Sequence, residues 1–191
     1  MVGNKLFCAN IGDARGILCR NGKPIDLSVD HKAKRADEQE RIKKQGGYIV
    51  YGRVLGRLAI SRSFGDFDCK NIEMDDTENP TNKVLRNFIM SEPEIRVIDI
   101  DPTTDTFFLL ASDGLYDRFS SKECCKVITQ KLKKMEVMEQ DVQSVATEVV
   151  NMAKSKRMMT DNITLLLVAL NRGIETENNT TNKTNELHVS H

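Results

Sequence analysis

Asn21-Gly22 falls between two short strand-like runs, "GILCR" and "PIDL". Asn-Gly accepts the left-handed backbone of a two-residue hairpin turn, so it signals antiparallel pairing more strongly than any other short pattern in this chain. Gly12-Asp13 interrupts the preceding pair of runs in the same way. Strands are therefore predicted at Lys5–Asn10, Gly16–Arg20 and Pro24–Leu27. A chain that opens on adjacent hairpins is committed to antiparallel sheet.

The later segments add helices. "KRADEQERIKKQ", Lys34–Gln45, is rich in strong helix formers, and Gly46-Gly47 ends it as a helix C-cap would. The glycine-rich stretch after it reads as irregular, with a short apolar helix or turn near Leu58–Ser63. Residues Cys69–Asn87 are polar and acidic without periodicity and read as a loop. Ile95–Ile100 and Thr106–Ala111 read as strands. Ser120 and Glu123 fit a capping box, which predicts a helix over Ser121–Lys134. A second helix, Asp141–Lys154, places Val142, Val145, Val149 and Met152 on one face. "NITLLLVAL", Asn162–Leu170, reads as a buried strand. The fold class is α+β, with antiparallel sheets covered by helices. Residues 1–170 form the folded part, and 171–191 read as a polar, disordered tail.

Composition narrows the function. The 191 residues are 39% apolar and 29% charged, as in an ordinary globular chain. Lys plus Arg (28) equals Asp plus Glu (28), which argues against broad nucleic-acid or anionic-membrane binding, since both need a basic surplus. No apolar run approaches the ~20 residues of a membrane span. "MVGNKLFCAN" lacks the pattern of a signal peptide. Five cysteines, an odd number without a C-x-x-C pair, read as reduced thiols, so an intracellular location, cytoplasmic or nuclear, is expected.

Four aspartates share one context. Asp13 follows "CANIG", Asp113 follows "FLLAS", Asp117 lies one turn further, and Asp161 precedes "NITLLLVAL". Carboxylates gathered at strand ends repel one another unless cations neutralise them. A sparse aspartate set without a His or Cys cluster suits Mg²⁺ or Mn²⁺ and disfavours zinc. Taken singly, each fits a turn at least as well, because Asp bonds its own backbone and Gly tolerates positive φ.

Longer motifs carry a resemblance. "ANIGDARGILCRNGK", "DHKAKRADEQERIKKQGGYIVYGRVLGRLAISRSFGDFDCK", "SEPEI", "LLASDGLYDRFSSKE" and "TDNITLLLV" occur in order between Leu6 and Leu170. Together they resemble the metal-dependent type 2C (PPM) protein serine/threonine phosphatases. The resemblance implies an antiparallel β-sandwich flanked by α-helices, with a two-metal Mg²⁺ or Mn²⁺ centre and room for a third, weaker metal. It implies that Asp113 and Asp161 are metal ligands and that Asp117 holds a metal-bound water. It further implies that Asp13 joins the weaker metal, and that Asn162 shapes the turn beside Asp161. Arg62 and Asp66, in the S-R-x-x-G-D motif, read as structural, an internal ion pair or a turn. His31–Arg62 would include a substrate-selecting flap. The implied reaction is hydrolysis of phosphoserine or phosphothreonine in protein substrates by a metal-activated water, in a monomeric enzyme.

The family's first third has no counterpart here. That part carries the phosphate-binding Arg and the D-G-H-G-G motif, whose aspartate bridges both metals and whose His is the acid candidate. No Asp-Gly-His occurs in the chain, and its histidines are His31, His188 and His191. No catalytic residue is therefore assigned, the N-terminal strands of the sandwich are expected to be missing, and the isolated chain is expected to hydrolyse little. The alternative is a catalytically inactive relative that works as a binding or scaffold module.

Overall fold

Asn21 and Gly22 both take positive φ, 51° and 70°, as a two-residue hairpin turn requires. They join β2 (Arg15–Arg20) to β3 (Lys23–Asp26) with Arg20 opposite Lys23. The structure, a computed structural model, describes residues 1–75, 81–138, 141–155, 161–170 and 189–190. The other strands are β1 (Lys5–Asn10), β4 (Ile49–Val50), β5 (Arg53–Val54), β6 (Ile72–Asp75), β7 (Lys83–Arg86), β8 (Glu94–Asp99), β9 (Asp105–Ala111), β10 (Leu165–Ala169) and β11 (Val189–Ser190). The helices are α1 (Ala36–Lys44), α2 (Asp113–Tyr116), α3 (Ser121–Met138) and α4 (Val142–Ser155). The tail reading for 171–191 lies outside the described residues, except for β11. Two compact units result. One is Met1–Cys8, Ala14–Ser28 and Ile95–His191, and the other is Ala9–Asp13 and Val29–Glu94.

The first unit is built on a five-stranded sheet in the order β11-β10-β9-β2-β3, with antiparallel pairing throughout. Alternation along the strands sends side chains to two cores. Ile17, Cys19, Phe107, Leu109, Ala111, Leu165 and Leu167 face α3 and α4 and meet Cys125, Ile128, Val145 and Val149. Leu18 and Phe108 face the other way, with Leu6, Leu27, Ile98 and Ile100. The β1–β8 pair supplies Leu6 and Ile98 to that second core, so two strand layers enclose it. This is the helix-flanked sandwich that the resemblance implies. Each fully buried Leu, Ile, Val or Phe contributes about 1.5–3 kcal/mol.

The helix caps follow local rules. At α3, Ser120 N–H donates to Glu123 Oε2 (2.8 Å) and Glu123 N–H donates to Ser120 Oγ (3.2 Å), the reciprocal pair of a capping box. Asp141 caps α4 by accepting from Ser144 N–H at 2.7 Å. The buried face of α4 differs from the expected one. Val145 and Val149 are buried, and Val142 packs against the core. Ala146, Val150 and Ala153 complete the stripe, while Met152 is 37% exposed. Rows spaced by four residues run down this face, and the alanines in them carry too little hydrophobicity to stand out in sequence.

Cys19 on β2 and Cys125 on α3 form a disulfide across 106 residues of chain, so the reading of five reduced thiols does not hold for these two. Two other expectations change in the second unit. Leu58–Ser63 is neither helix nor tight turn, because Leu58, Ile60 and Arg62 each form an isolated strand bridge, to Val54, Lys32 and Met90. The predicted loop Cys69–Asn87 contains the β6–β7 hairpin. Its inward residues Ile72 and Met74 pack on the cluster of Ile42, Val54, Cys69, Phe88 and Ile89, a period of two hidden among acidic neighbours.

Buried charge organises this second unit. The Glu38 side chain on α1 is 2% exposed and accepts from Arg62 (2.7 Å) and Arg41 (2.8 Å). Arg41 also donates to the carbonyls of Ser61 and Phe88, both at 3.1 Å. Glu94 pairs with Arg35 and Arg62. The Glu38 carboxylate thereby ties α1 to the Arg62 segment, and Arg41 beside it ties α1 to the Phe88 segment. Burial alone would raise the Glu38 carboxyl, but hydrogen bonds from Arg62, Arg41 and Ser61 outweigh it and hold its pKa down at about 2. A depressed carboxyl stabilises the fold above its ordinary value of about 4.3, and that contribution is lost as pH falls towards 2. Glu38→Gln is expected to lower urea stability at neutral pH by about 3–5 kcal/mol, because buried guanidinium groups lose their counter-charge. The gap to wild type should narrow as pH falls below about 4. Urea melts of both proteins across that range check it.

Candidate metal centre

Ala111 at the end of β9 lies opposite Leu165 at the start of β10. Antiparallel pairing therefore brings the exit of one strand beside the entry of the other. Asp113 lies two residues beyond that exit, and Asp161 four residues before the entry. Ser112 fastens the junction. Its N–H donates to Thr164 O (3.0 Å), its Oγ donates to Asn162 O (3.2 Å), and Thr164 N–H donates to Ser112 Oγ (3.0 Å).

Gly114 completes the junction by being small. A Cβ added there would lie 2.3 Å from Asn162 O, closer than any real side chain comes. Its φ is not in the left-handed range, so the turn reading of Asp113-Gly114 gives the wrong reason for the glycine. Gly114 is needed for close approach, and that approach brings the Asp113 and Asp161 segments together.

The neighbours hold these acids in place. Asp113 opens α2 and is half-buried, and its carbonyl accepts from Asp117 N–H at 2.8 Å. Asp117 closes the same turn and is exposed. Asp161 is exposed, and Asn162 N–H donates to its Oδ1 at 2.8 Å. Arg15 begins β2 opposite Ala111. Its guanidinium stacks over Tyr116 at 4.5 Å and donates to Ser121 Oγ at 3.2 Å. It thus pins α2 to the start of α3 by a cation–π contact and a hydrogen bond. Sequence reasoning passed over Ser112 and the packing role of Gly114, and treated Arg15 only as part of a motif. The sole sequence signal for the contact was the Asp-Gly pair itself.

Asp13 belongs to the second unit, where its carboxylate forms an ion pair with Lys32. His31 is fully buried there. Its Nδ1 lies 3.1 Å from both the N–H and the carbonyl oxygen of Gly12, and its Nε2 lies 3.4 Å from Glu94 Oε2. Burial and the nearby Arg62 keep the His31 pKa below its ordinary value, so the ring is a neutral packing element. Arg62 forms the internal ion pair expected of it, with Glu38 and Glu94 as partners. Asp66 takes left-handed backbone (φ 60°) before a short 3₁₀ turn, Phe67–Cys69.

Asp37, Glu38 and Glu94 also come close enough to hold a metal ion, with ligand oxygens within 4.8 Å. Their charge is already matched by Arg35, Arg41 and Arg62. A cation entering there would have to displace guanidinium groups, so this cluster is an ion-pair network. Among the described residues, Asp13, Asp113, Asp117 and Asp161 are not gathered into a comparable group of three or more ligand atoms. Asp113 and Asp161 stand at neighbouring strand ends, the first half-buried and the second exposed.

A protein-family model described as "Protein phosphatase 2C" matches residues 1–163. The chain belongs to the protein phosphatase 2C family. It is 34% identical over 189 residues to "Probable protein phosphatase 2C 71" of Arabidopsis thaliana, covering 97% of this chain and 36% of that protein. It is 35% identical over 176 residues to "Protein phosphatase 1L" of Bos taurus, covering 90% of this chain and 43% of that protein. The chain therefore spans well under half the length of these relatives. Among solved structures it is similar to a phosphatase from a pathogenic strain of Toxoplasma gondii. That match has a TM-score of 0.66 and 29% identity, and covers 97% of this chain and 50% of the other. A C. elegans sex determining protein shares the fold, with a TM-score of 0.67 at 21% identity over 88% of this chain and 37% of the other.

Gly114→Ala tests the junction. The added methyl must push the 161–162 turn away, which is expected to cost about 1–3 kcal/mol. Chemical denaturation measures the loss. A variant as stable as wild type would show that the turn adjusts freely and that the contact constrains nothing.

Proposed function

We propose that Asp113 and Asp161 hold a divalent cation, Mg²⁺ or Mn²⁺, and that the protein removes phosphate from phosphoserine and phosphothreonine in protein substrates. The family is metal-dependent, and the observation that carries the reading for this chain is the Ser112–Gly114 junction. It joins the two aspartate segments by three hydrogen bonds and a contact only glycine permits. When bound, the cation supplies the charge that activates water and offsets the phosphoryl oxygens.

The residues of the chain do the positioning. Asp113 opens α2, whose Tyr116 packs against Arg15. Asp161 has one oxygen turned to Asn162 N–H, which orients the carboxylate and leaves the other oxygen for a ligand. Asp117, exposed at the end of α2, would accept from a metal-bound water. Asp13 is engaged by Lys32, so a cation there would have to displace an ammonium group. That competition supports the weaker role given to Asp13.

Calorimetric titration with Mn²⁺ tests the proposal without requiring turnover. Wild type is expected to bind, and Asp113→Asn and Asp161→Asn each to weaken binding by about tenfold or more. Glu94→Gln, in the ion-pair network, should leave Mn²⁺ affinity unchanged. Equal affinity in wild type and both aspartate variants would rule the assignment out. Any Mn²⁺-dependent phosphate release from a phosphothreonine peptide should disappear in Asp113→Asn.

A further inference from the structure

Two turns in this chain share one backbone conformation and differ in the residue that opens them. Asn21-Gly22 has φ 51° and 70°, and Tyr51-Gly52 has φ 52° and 72°. The first closes the β2–β3 hairpin, and the second closes β4–β5 with Val50 opposite Arg53. Asn tolerates left-handed backbone because its short polar side chain bonds locally, whereas a bulky aromatic does not. Leu55 is strained in the same way (φ 50°), but it packs against the core of its unit, so burial offsets the strain. Tyr51 is 97% exposed. Among the described residues nothing packs over it to offset the strain, and strain of this kind clusters at sites that bind a partner or ligand.

The chemistry around Tyr51 indicates what that contact is. Tyr48 and Val50 on the same hairpin are 53% and 40% exposed. Arg53 donates to the Arg57 carbonyl at 2.7 Å, and Arg57 to the Asp68 carbonyl at 3.4 Å. Among the described residues neither forms an ion pair, although Arg35, Arg41 and Arg62 of the same unit all do. Tyrosine and arginine dominate the energetically decisive positions of protein interfaces. A guanidinium fork without a counter-charge is complementary to carboxylates.

We propose that the β4–β5 hairpin is a docking surface for an acidic segment of a protein partner. Tyr51 is its central contact, and Arg53 and Arg57 engage the partner's carboxylates. The proposal does not depend on the metal reading, and its test uses binding in the presence of EDTA.

The probe is a fluorescein-labelled peptide rich in Asp and Glu, with its Asn/Gln counterpart as control, added to the full chain and followed by fluorescence anisotropy. The acidic peptide is expected to bind, with affinity falling as salt rises, and the neutral one is not. The double variant Arg53→Gln/Arg57→Gln is expected to bind the acidic peptide about tenfold more weakly. Tyr51→Asn provides the second arm, since it installs the favoured turn pair. Its melting temperature is expected to rise by about 2–4 °C while affinity falls about threefold or more. The proposal is overturned if neither peptide binds, if both bind alike, or if Tyr51→Asn binds as tightly as wild type or melts lower.

Discussion

The carbonyl oxygen of Asn162 comes so close to residue 114 that only glycine fits between the α2 start and the 161–162 turn. That contact sets how near the end of β9 can come to the start of β10. Ser112 locks the spacing with hydrogen bonds to both sides of it. The roles proposed for Asp113 and Asp161 hang from this junction, because both are immediate chain neighbours of the atoms in contact. The sheet strands on either side of it carry Phe107, Leu109, Leu165 and Leu167, all buried.

The two units treat charge in opposite ways. In the second, buried acids are matched by guanidinium groups, and Glu38 alone serves two arginines on separate segments. A buried pair of this sort adds little net stability over an apolar core, but losing one partner is costly, so it acts mainly to specify the arrangement. In the first, the aspartates sit at a partly exposed strand end. The same residue types thus build scaffold in one place and are the proposed ligands in the other. The difference lies in which cations the fold brings to them. Asp13, in the second unit, is matched in the same way by Lys32.

Much of the frame was legible because it follows local rules. Asn21-Gly22 announces its hairpin through backbone preference, and Ser120 with Glu123 announces the start of α3. The continuous apolar runs 107–111 and 165–169 are too long and too β-branched or leucine-rich to be surface loops. What stayed hidden depends on contacts distant in sequence or on weak local signals. The β6–β7 hairpin has only Ile72 and Met74 as inward markers among acidic residues. Cys19 meets Cys125 across 106 positions, and no spacing rule reaches that far. Tyr51-Gly52 adopts the geometry of Asn21-Gly22 without the residue that advertises it. At the candidate site, the motifs named Asp113, Asp117, Asp161 and Asp13. They could not show that Gly114 is there for proximity, that Lys32 holds Asp13, or that Glu38 and Glu94 are the partners of Arg62.

Anomalous diffraction from crystals soaked in Mn²⁺ is the most direct test of the central assignment, because it locates the ion and distinguishes the two acidic clusters. A peak within coordination distance of Asp113 and Asp161 carboxylate oxygens, about 2.0–2.2 Å for a small hard cation, is the predicted result. A peak confined to Asp37, Glu38 and Glu94, or no peak at either cluster, would contradict it.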